Sequence, residues 1–156
     1  MKSFKLVEEV LPVGYTIELL CEAHLPQTLA LRNNSKIRTA FFHDQPLAME
    51  AHVKWFASYV DDADQRVWVV CNEEEVVAQF SVYDYNPATK RAQFGRFFIS
   101  PKYQGLGIGK QILALLRKSL RKNDGLVGLW LEVKPDNCPA YNLYIKTGWV
   151  ETQRTS

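Results

Sequence analysis

Cysteine is scarce in this chain: Cys21, Cys71 and Cys138 are the only three in 156 residues, and no two form a CxxC pair. A disulfide framework is excluded, because any one bridge leaves a thiol over, and a reduced compartment is implied. No apolar run approaches the length of a membrane span. Neither charge sign is in excess. Nineteen basic against seventeen acidic residues leave +2, too balanced to demand nucleic acid or an anionic membrane as partner. Glu8 and Glu9 stand where a signal peptide needs an apolar core. Repeats and low-complexity tracts are missing as well. The expectation is a soluble, cytoplasmic protein. What is present is the material of a core: 47% of residues are hydrophobic and 23% charged. A chain of this length buries roughly 70% of its unfolded surface, so residues 1–156 are expected to form one domain.

Element by element, Tyr15-Thr-Ile-Glu-Leu-Leu20 reads as a first strand. Leu25 to Phe42 reads as a helix, a break at Asn33-Asn34-Ser35 and a second short helix. Pro46 opens a better helix, with Met49, Val53, Phe56 and Tyr59 or Val60 at helical spacing, ending at Asp61-Asp62. Then the period changes. Arg66–Cys71, Val76–Tyr83 and Arg91–Ile99 are rich in β-branched and aromatic residues, with short turns at Asn72–Glu75 and Asn86–Thr89, as in an antiparallel meander. Ile108 to Lys122 carries Ile108, Ile112, Leu115, Leu116 and Leu120 on one face, and Lys110, Arg117, Lys118 and Arg121 elsewhere as a solvated face. Val127–Val133 is a nearly unbroken apolar strand, which suits a sheet covered on both sides. A last helix runs from near Pro139 to Gly148. The fold class is α/β, an α+β mixed sheet with one parallel crossover.

The chemistry is concentrated in Ser100-Pro-Lys-Tyr-Gln104-Gly105-Leu106-Gly107-Ile108-Gly109-Lys110, between a predicted strand and a predicted helix. Alternate glycines let main-chain N–H groups turn inward, and the helix behind adds the positive end of its dipole. That combination suits phosphate oxygens. Glycines required only for a tight connection are the other reading. It is not a Walker loop, since no Ser or Thr follows Lys110, and G-x-G-x-G is not the dinucleotide-binding spacing.

Gln104-Gly-Leu-Gly107-Ile-Gly109 resembles the Q/R-x-x-G-x-G/A signature of the GCN5-related N-acetyltransferase (GNAT) superfamily. Asn137-Cys-Pro-Ala140-Tyr-Asn-Leu143-Tyr144-Ile-Lys-Thr-Gly148-Trp149 resembles its other signature, N-x-x-A-x-x-L-Y-x-x-x-G-F, with Trp for Phe. The likeness is strong from about Ala92 to Trp149. Before it, Leu31-Arg32-Asn33 and His52-Val-Lys-Trp55-Phe56 resemble ribosomal-protein and nucleotide-amino-sugar acetyltransferases.

The resemblance implies the acyl-CoA N-acyltransferase fold, with antiparallel N-terminal strands, a central splayed parallel pair and helices on both faces. It implies that acetyl-CoA is the co-substrate and that no metal takes part. Main-chain groups of Gln104, Gly105, Leu106, Gly107, Ile108, Gly109 and Lys110 would hold the pyrophosphate. The strand at Phe97-Phe98-Ile99 would pair with the pantetheine arm, and Asn137 would contact that arm or simply cap a helix. Tyr144 matches the family's general acid toward the CoA sulfur; its bland reading is a core aromatic. A main-chain N–H near Phe98 is the expected oxyanion donor. Glu132 stands in the register of a proposed base, where an apolar wall would tune it, or is an outward strand carboxylate.

Arg96 or Tyr83 is a candidate to contact the acceptor, with nothing in the spacing to decide between them, and Trp55, Phe41 and Phe42 line the acceptor side or fill the core. His24, His43 and His52, on separate predicted elements, lack the spacing of a metal site. The implied activity is direct acetyl transfer to a primary amine: a protein N-terminus, an amino sugar or a small amine. The alternative is a non-catalytic acyl-CoA-binding module. Family members usually continue past the G-F/W position with two more strands, whereas Val150 to Ser156 is all that follows here. An open strand edge is therefore expected, and with it pairing in a homodimer.

Overall fold

The computed structural model describes residues 1, 4–7, 11 and 14–154. Glu8, Glu9 and Val10, on which the signal-peptide reading rests, lie outside them, as do Thr155 and Ser156. In chain order the elements are β1 (Tyr15–Leu19), a 3-10 turn (Glu22–His24), α1 (Leu25–Asn33), α2 (Ser35–Arg38), α3 (Met49–Val60), β2 (Arg66–Asn72) and β3 (Glu75–Asn86). They continue with β4 (Arg91–Ile99), α4 (Ile108–Arg121), β5 (Gly128–Trp130) and α5 (Cys138–Lys146). The five strands form one mixed sheet in the order β1-β2-β3-β4-β5. The first four are antiparallel meander neighbours, and β5 lies parallel to β4 after the α4 crossover.

Helices cover both faces. Leu20, Leu25, Tyr59, Val67, Val69, Cys71 and Val76 make a core with α1 and α3 on one side. Trp68, Val70, Phe80, Val82, Phe94, Ile108, Ile112, Leu116 and Leu126 make a larger core on the other, where α4 and α5 pack. Two covered faces explain why Val67–Cys71 reads as a continuous apolar run rather than an alternation. Each fully buried Leu or Ile of α4 contributes about 1.5–3 kcal/mol relative to exposure, and that stripe fixes the helix on the sheet.

Several element boundaries differ from the sequence reading, and two of them bear on the site. The third helix begins at Met49, not Pro46, because the Asn33 side chain bonds both the N–H and the C=O of Leu47, each at 2.8 Å, and holds that stretch extended. The apolar run Val127–Val133 pairs only at Gly128–Trp130. β5 lies at the margin of the sheet, and among the described residues no strand pairs with its outer edge.

Candidate active site

The parallel pair opens after three rungs. Arg91, Ala92 and Gln93 pair with Gly128, Leu129 and Trp130, and beyond them Phe94–Ile99 has no strand on that side. The cause is in β4. Its pairing with β3 slips by one residue between Ser81↔Gly95 and Gln79↔Phe98, and Arg96 sits there at φ 46°. This is a β-bulge, which bends the strand and raises its local twist. Two buried polar side chains of β3 secure the bent stretch: Ser81 Oγ donates to the Gly95 carbonyl at 3.0 Å and Gln79 Nε2 to the Arg96 carbonyl at 3.1 Å. Beyond the third rung the sheet is open between Phe94–Ile99 and Leu131–Val133, which do not pair with each other.

The glycine loop stands at the end of β4. Gln104 Nε2 donates to the Ile99 carbonyl at 3.1 Å and ties the loop to the strand. Gly105 and Gly107 have φ of 79° and 81°, and a Cβ on either would meet nothing within 4 Å. A left-handed backbone with open space above it is what a ligand-facing turn requires. Gly107 caps α4, whose first bond runs from the Gln111 N–H to the Gly107 carbonyl, so the N–H groups of Ile108, Gly109 and Lys110 precede it without intrahelical acceptors. Gln104, Leu106 and Lys110 are exposed, while the Ile108 side chain is buried. Gly109 differs from its two neighbours. A Cβ there would lie 3.1 Å from Leu143 and 3.2 Å from Ile99, so this glycine lets α4 approach α5 and β4.

Tyr144 lies on the same side of the sheet as that loop. It packs edge-on against Phe94 and Trp149, with ring centroids 6.5 and 5.8 Å away. Burial pushes the phenol's pKa well above its ordinary value, so it remains protonated throughout the physiological range. Its hydroxyl has no hydrogen-bond partner among the described residues. Phe97 packs into this core beside Gly109. Asn137 caps α5, its side chain accepting from the Ala140 N–H at 3.4 Å. Cys138 follows, exposed.

The opposite face carries a second cluster. The bulge turns Arg96 to that side, with its guanidinium 4.1 Å from the Tyr83 ring centroid and 5.3 Å from that of Trp55, and donating to Gln65 Oε1 at 3.0 Å. Burial lowers the Arg96 pKa from its ordinary value, while Tyr83 and Asp84 act the other way. The Tyr83 phenol is raised by burial, opposed by Arg96 and reinforced by the charges of Asp84 and Glu132. Trp55 stacks between His52 and Tyr59, and Phe41 meets Phe98 edge-on at 6.5 Å. Phe42 is exposed. Glu132 is exposed rather than set against the expected apolar wall, and its charge bears on the Tyr83 phenol.

Gly95, Gln79 and Ser81 escaped the sequence reading. A Cβ at Gly95 would fall 2.5 Å from the Tyr83 hydroxyl, so this glycine makes room for that ring. Polar residues inside the apolar run Val76–Tyr83 were the available signal, because a buried side-chain amide needs a partner. Of the histidines, His52 joins the aromatic cluster and bonds Thr28 Oγ1 at 3.2 Å. His24 faces Glu18 at the β1 edge, the far side of the sheet from β5.

Comparison with known proteins bears on this geometry. Residues 30–149 match the model of the acetyltransferase (GNAT) family. The chain is 29% identical over 89 residues to streptothricin acetyltransferase of Streptomyces lavendulae, covering 57% of this chain and 47% of that protein. It is 33% identical over 70 residues to spermine/spermidine N(1)-acetyltransferase of Bacillus subtilis (strain 168), covering 45% and 46%. Each match thus spans about half of the relative's length. Among solved structures, spermidine N-acetyltransferase from Vibrio cholerae in complex with CoA and spermine superposes with a TM-score of 0.79 at 24% identity, over 90% of this chain and 83% of that one. A ribosomal L7/L12 alpha-N-protein acetyltransferase in complex with coenzyme A gives 0.73 at 15%, over 87% and 80%. These superpositions establish the acyl-CoA N-acyltransferase fold.

Proposed function

Because the chain belongs to the acetyltransferase (GNAT) family, we propose that it is an acetyl-CoA-dependent N-acetyltransferase whose acceptor is a primary amine. The observation that carries this reading is the gap in the sheet beyond Gln93 and Trp130, flanked on one face by the glycine loop and Tyr144. The residues fit acetyl-CoA. Gly105 and Gly107 leave a space that a Cβ would enter, and the N–H groups of Ile108, Gly109 and Lys110 lie free behind it for pyrophosphate oxygens. Main-chain groups of Phe97 and Phe98 border the gap and suit an amide-bearing arm. When bound, the thioester supplies an activated acyl group.

The chain's own residues then have separable tasks. Tyr144, kept protonated by its apolar surroundings, holds a proton for the leaving sulfur. An N–H near Phe98 is the oxyanion donor. Glu132, exposed on the acceptor side, removes a proton from the incoming ammonium directly or through water. Trp55, Tyr83 and Arg96 form the acceptor wall. Support for a small amine comes from the spermine/spermidine and streptothricin enzymes among the relatives. The free outer edge of β5 suits a second copy of the chain.

The decisive measurement is thiol release from acetyl-CoA with a panel of polyamines, amino sugars and an N-terminal peptide. Release with at least one amine is expected. Stabilisation by CoA with no release from any of them would leave only acyl-CoA binding.

A further inference from the structure

The edge of the sheet farthest from the proposed active site carries a second constellation. Glu18-x-x-Cys21-x-x-His24 runs from the end of β1 into the 3-10 turn, and Cys71 lies on the adjacent strand β2. Register brings them together. Cys71 pairs with Thr16 and Val69 with Glu18, so Cys71 and Glu18 are diagonal neighbours on the α1 face. His24 Nε2 is 3.9 Å from Glu18 Oε2 and 4.0 Å from Cys21 Sγ. Donor atoms of Glu18, His24 and Cys71 all lie within 4.8 Å of one another.

We propose that Glu18, Cys21, His24 and Cys71 form a tetrahedral site for one Zn²⁺ ion. Two thiolates, an imidazole and a carboxylate are a zinc donor set rather than a magnesium or calcium one. Bond lengths of about 2.0–2.3 Å place tetrahedral donors about 3.3–3.8 Å apart. The Glu18–His24 and His24–Cys21 separations of 3.9 and 4.0 Å are close to this, whereas the Cys71 donor lies within 4.8 Å of Glu18 and His24, and Cys21, outside that group of three, must turn its side chain toward them. Cys71 is buried and His24 half-buried, while Cys21 and Glu18 face solvent, which gives the ion an entry path. Bound there, it would pin the β1–α1 connection to β2.

Without metal the Cys71 thiol is held protonated, burial and the Glu18 carboxylate pushing its pKa up to about 12. His24 Nδ1 accepts the Cys21 N–H at 3.0 Å, which leaves the ring proton on Nε2. Zn²⁺ displaces both thiol protons to solvent and takes the Nε2 position. The imidazole proton passes to Nδ1, and the Cys21 N–H gives up that acceptor. Two protons are released per ion, and affinity rises with pH.

The test is cobalt titration of the chelator-treated full chain at pH 7.5. Expected are a near-ultraviolet thiolate-to-cobalt absorption and tetrahedral visible bands at one equivalent, abolished by added zinc. Cys21→Ser and His24→Gln should each weaken binding at least tenfold, whereas Cys138→Ser leaves the spectrum unchanged. Zinc should also raise the thermal midpoint of the parent and of Cys138→Ser but not of Cys21→Ser. Histidine nitrogen NMR should show the His24 proton moving from Nε2 to Nδ1. A folded chain with no thiolate band at saturating cobalt would overturn the site, as would an unchanged cobalt affinity in Cys21→Ser or bands that vanish with Cys138→Ser.

Discussion

Tyr144 shows how one residue's surroundings bear on the role proposed for it. The ring could have been ordinary core filling, and it does touch Phe94 and Trp149. Its hydroxyl, however, finds no partner among the described residues, and burial keeps the proton on. General acid catalysis is worth about 10²–10⁴ in rate. Tyr144→Phe is therefore expected to lower kcat about a hundredfold or more with CoA affinity within twofold of the parent, measured by steady-state rates and calorimetry. Equal losses in binding and rate would reduce Tyr144 to packing. Gly95 is the complementary case. Gly95→Ala places a methyl carbon 2.5 Å from the Tyr83 hydroxyl, so the ring must leave its position over Arg96. The expected result is a raised KM for the amine with unchanged CoA affinity. A raised CoA dissociation constant instead would move Tyr83 to the cofactor side.

At the scale of elements, the turn into α4 and the bulge in β4 make the site between them. Gly105 and Gly107 adopt positive φ over open space, whereas Gly109 is packed against Leu143 and Ile99. Three glycines in one motif thus stand in two environments, open space at Gly105 and Gly107 and close helix packing at Gly109. Gly107→Val combines a strained left-handed backbone with a branched side chain in the space proposed for the pyrophosphate. CoA binding should fall below detection in a calorimetric titration, with the circular dichroism of the folded chain retained. Unaltered binding would remove the loop from the cofactor site. The bulge acts through the polar side chains Gln79 and Ser81, which hold the Arg96 and Gly95 carbonyls where ladder partners are out of register.

At the scale of the whole molecule, stability should depend on pH through His52. Burial lowers its pKa from the ordinary value of 6.5. Below about pH 6.5 the unfolded chain binds a proton that the folded chain resists, so folding stability falls as pH falls through that value. Denaturant midpoints measured at pH 8 and pH 5.5 should differ, and His52→Gln should reduce the difference. An undiminished slope in that variant would assign the effect to other groups.

The two motifs around Gly107 and Tyr144 were legible because each is contiguous: a loop before a helix and a helix with its capping Asn137 are specified by neighbours in sequence. So were the strands, since period and β-branched composition are local properties. What only the tertiary structure decided depends on partners distant in the chain. The bulge turns Arg96 toward Trp55 and Tyr83, and the gap beyond Gln93 cuts Val127–Val133 to three paired residues. Register brings Cys71 beside Glu18 and His24, a grouping that the spacing of the histidines alone does not reveal. Local pattern encodes which backbone conformation a segment prefers, but which side chains meet depends on strand register and twist, and a one-residue slip changes every partner on a face.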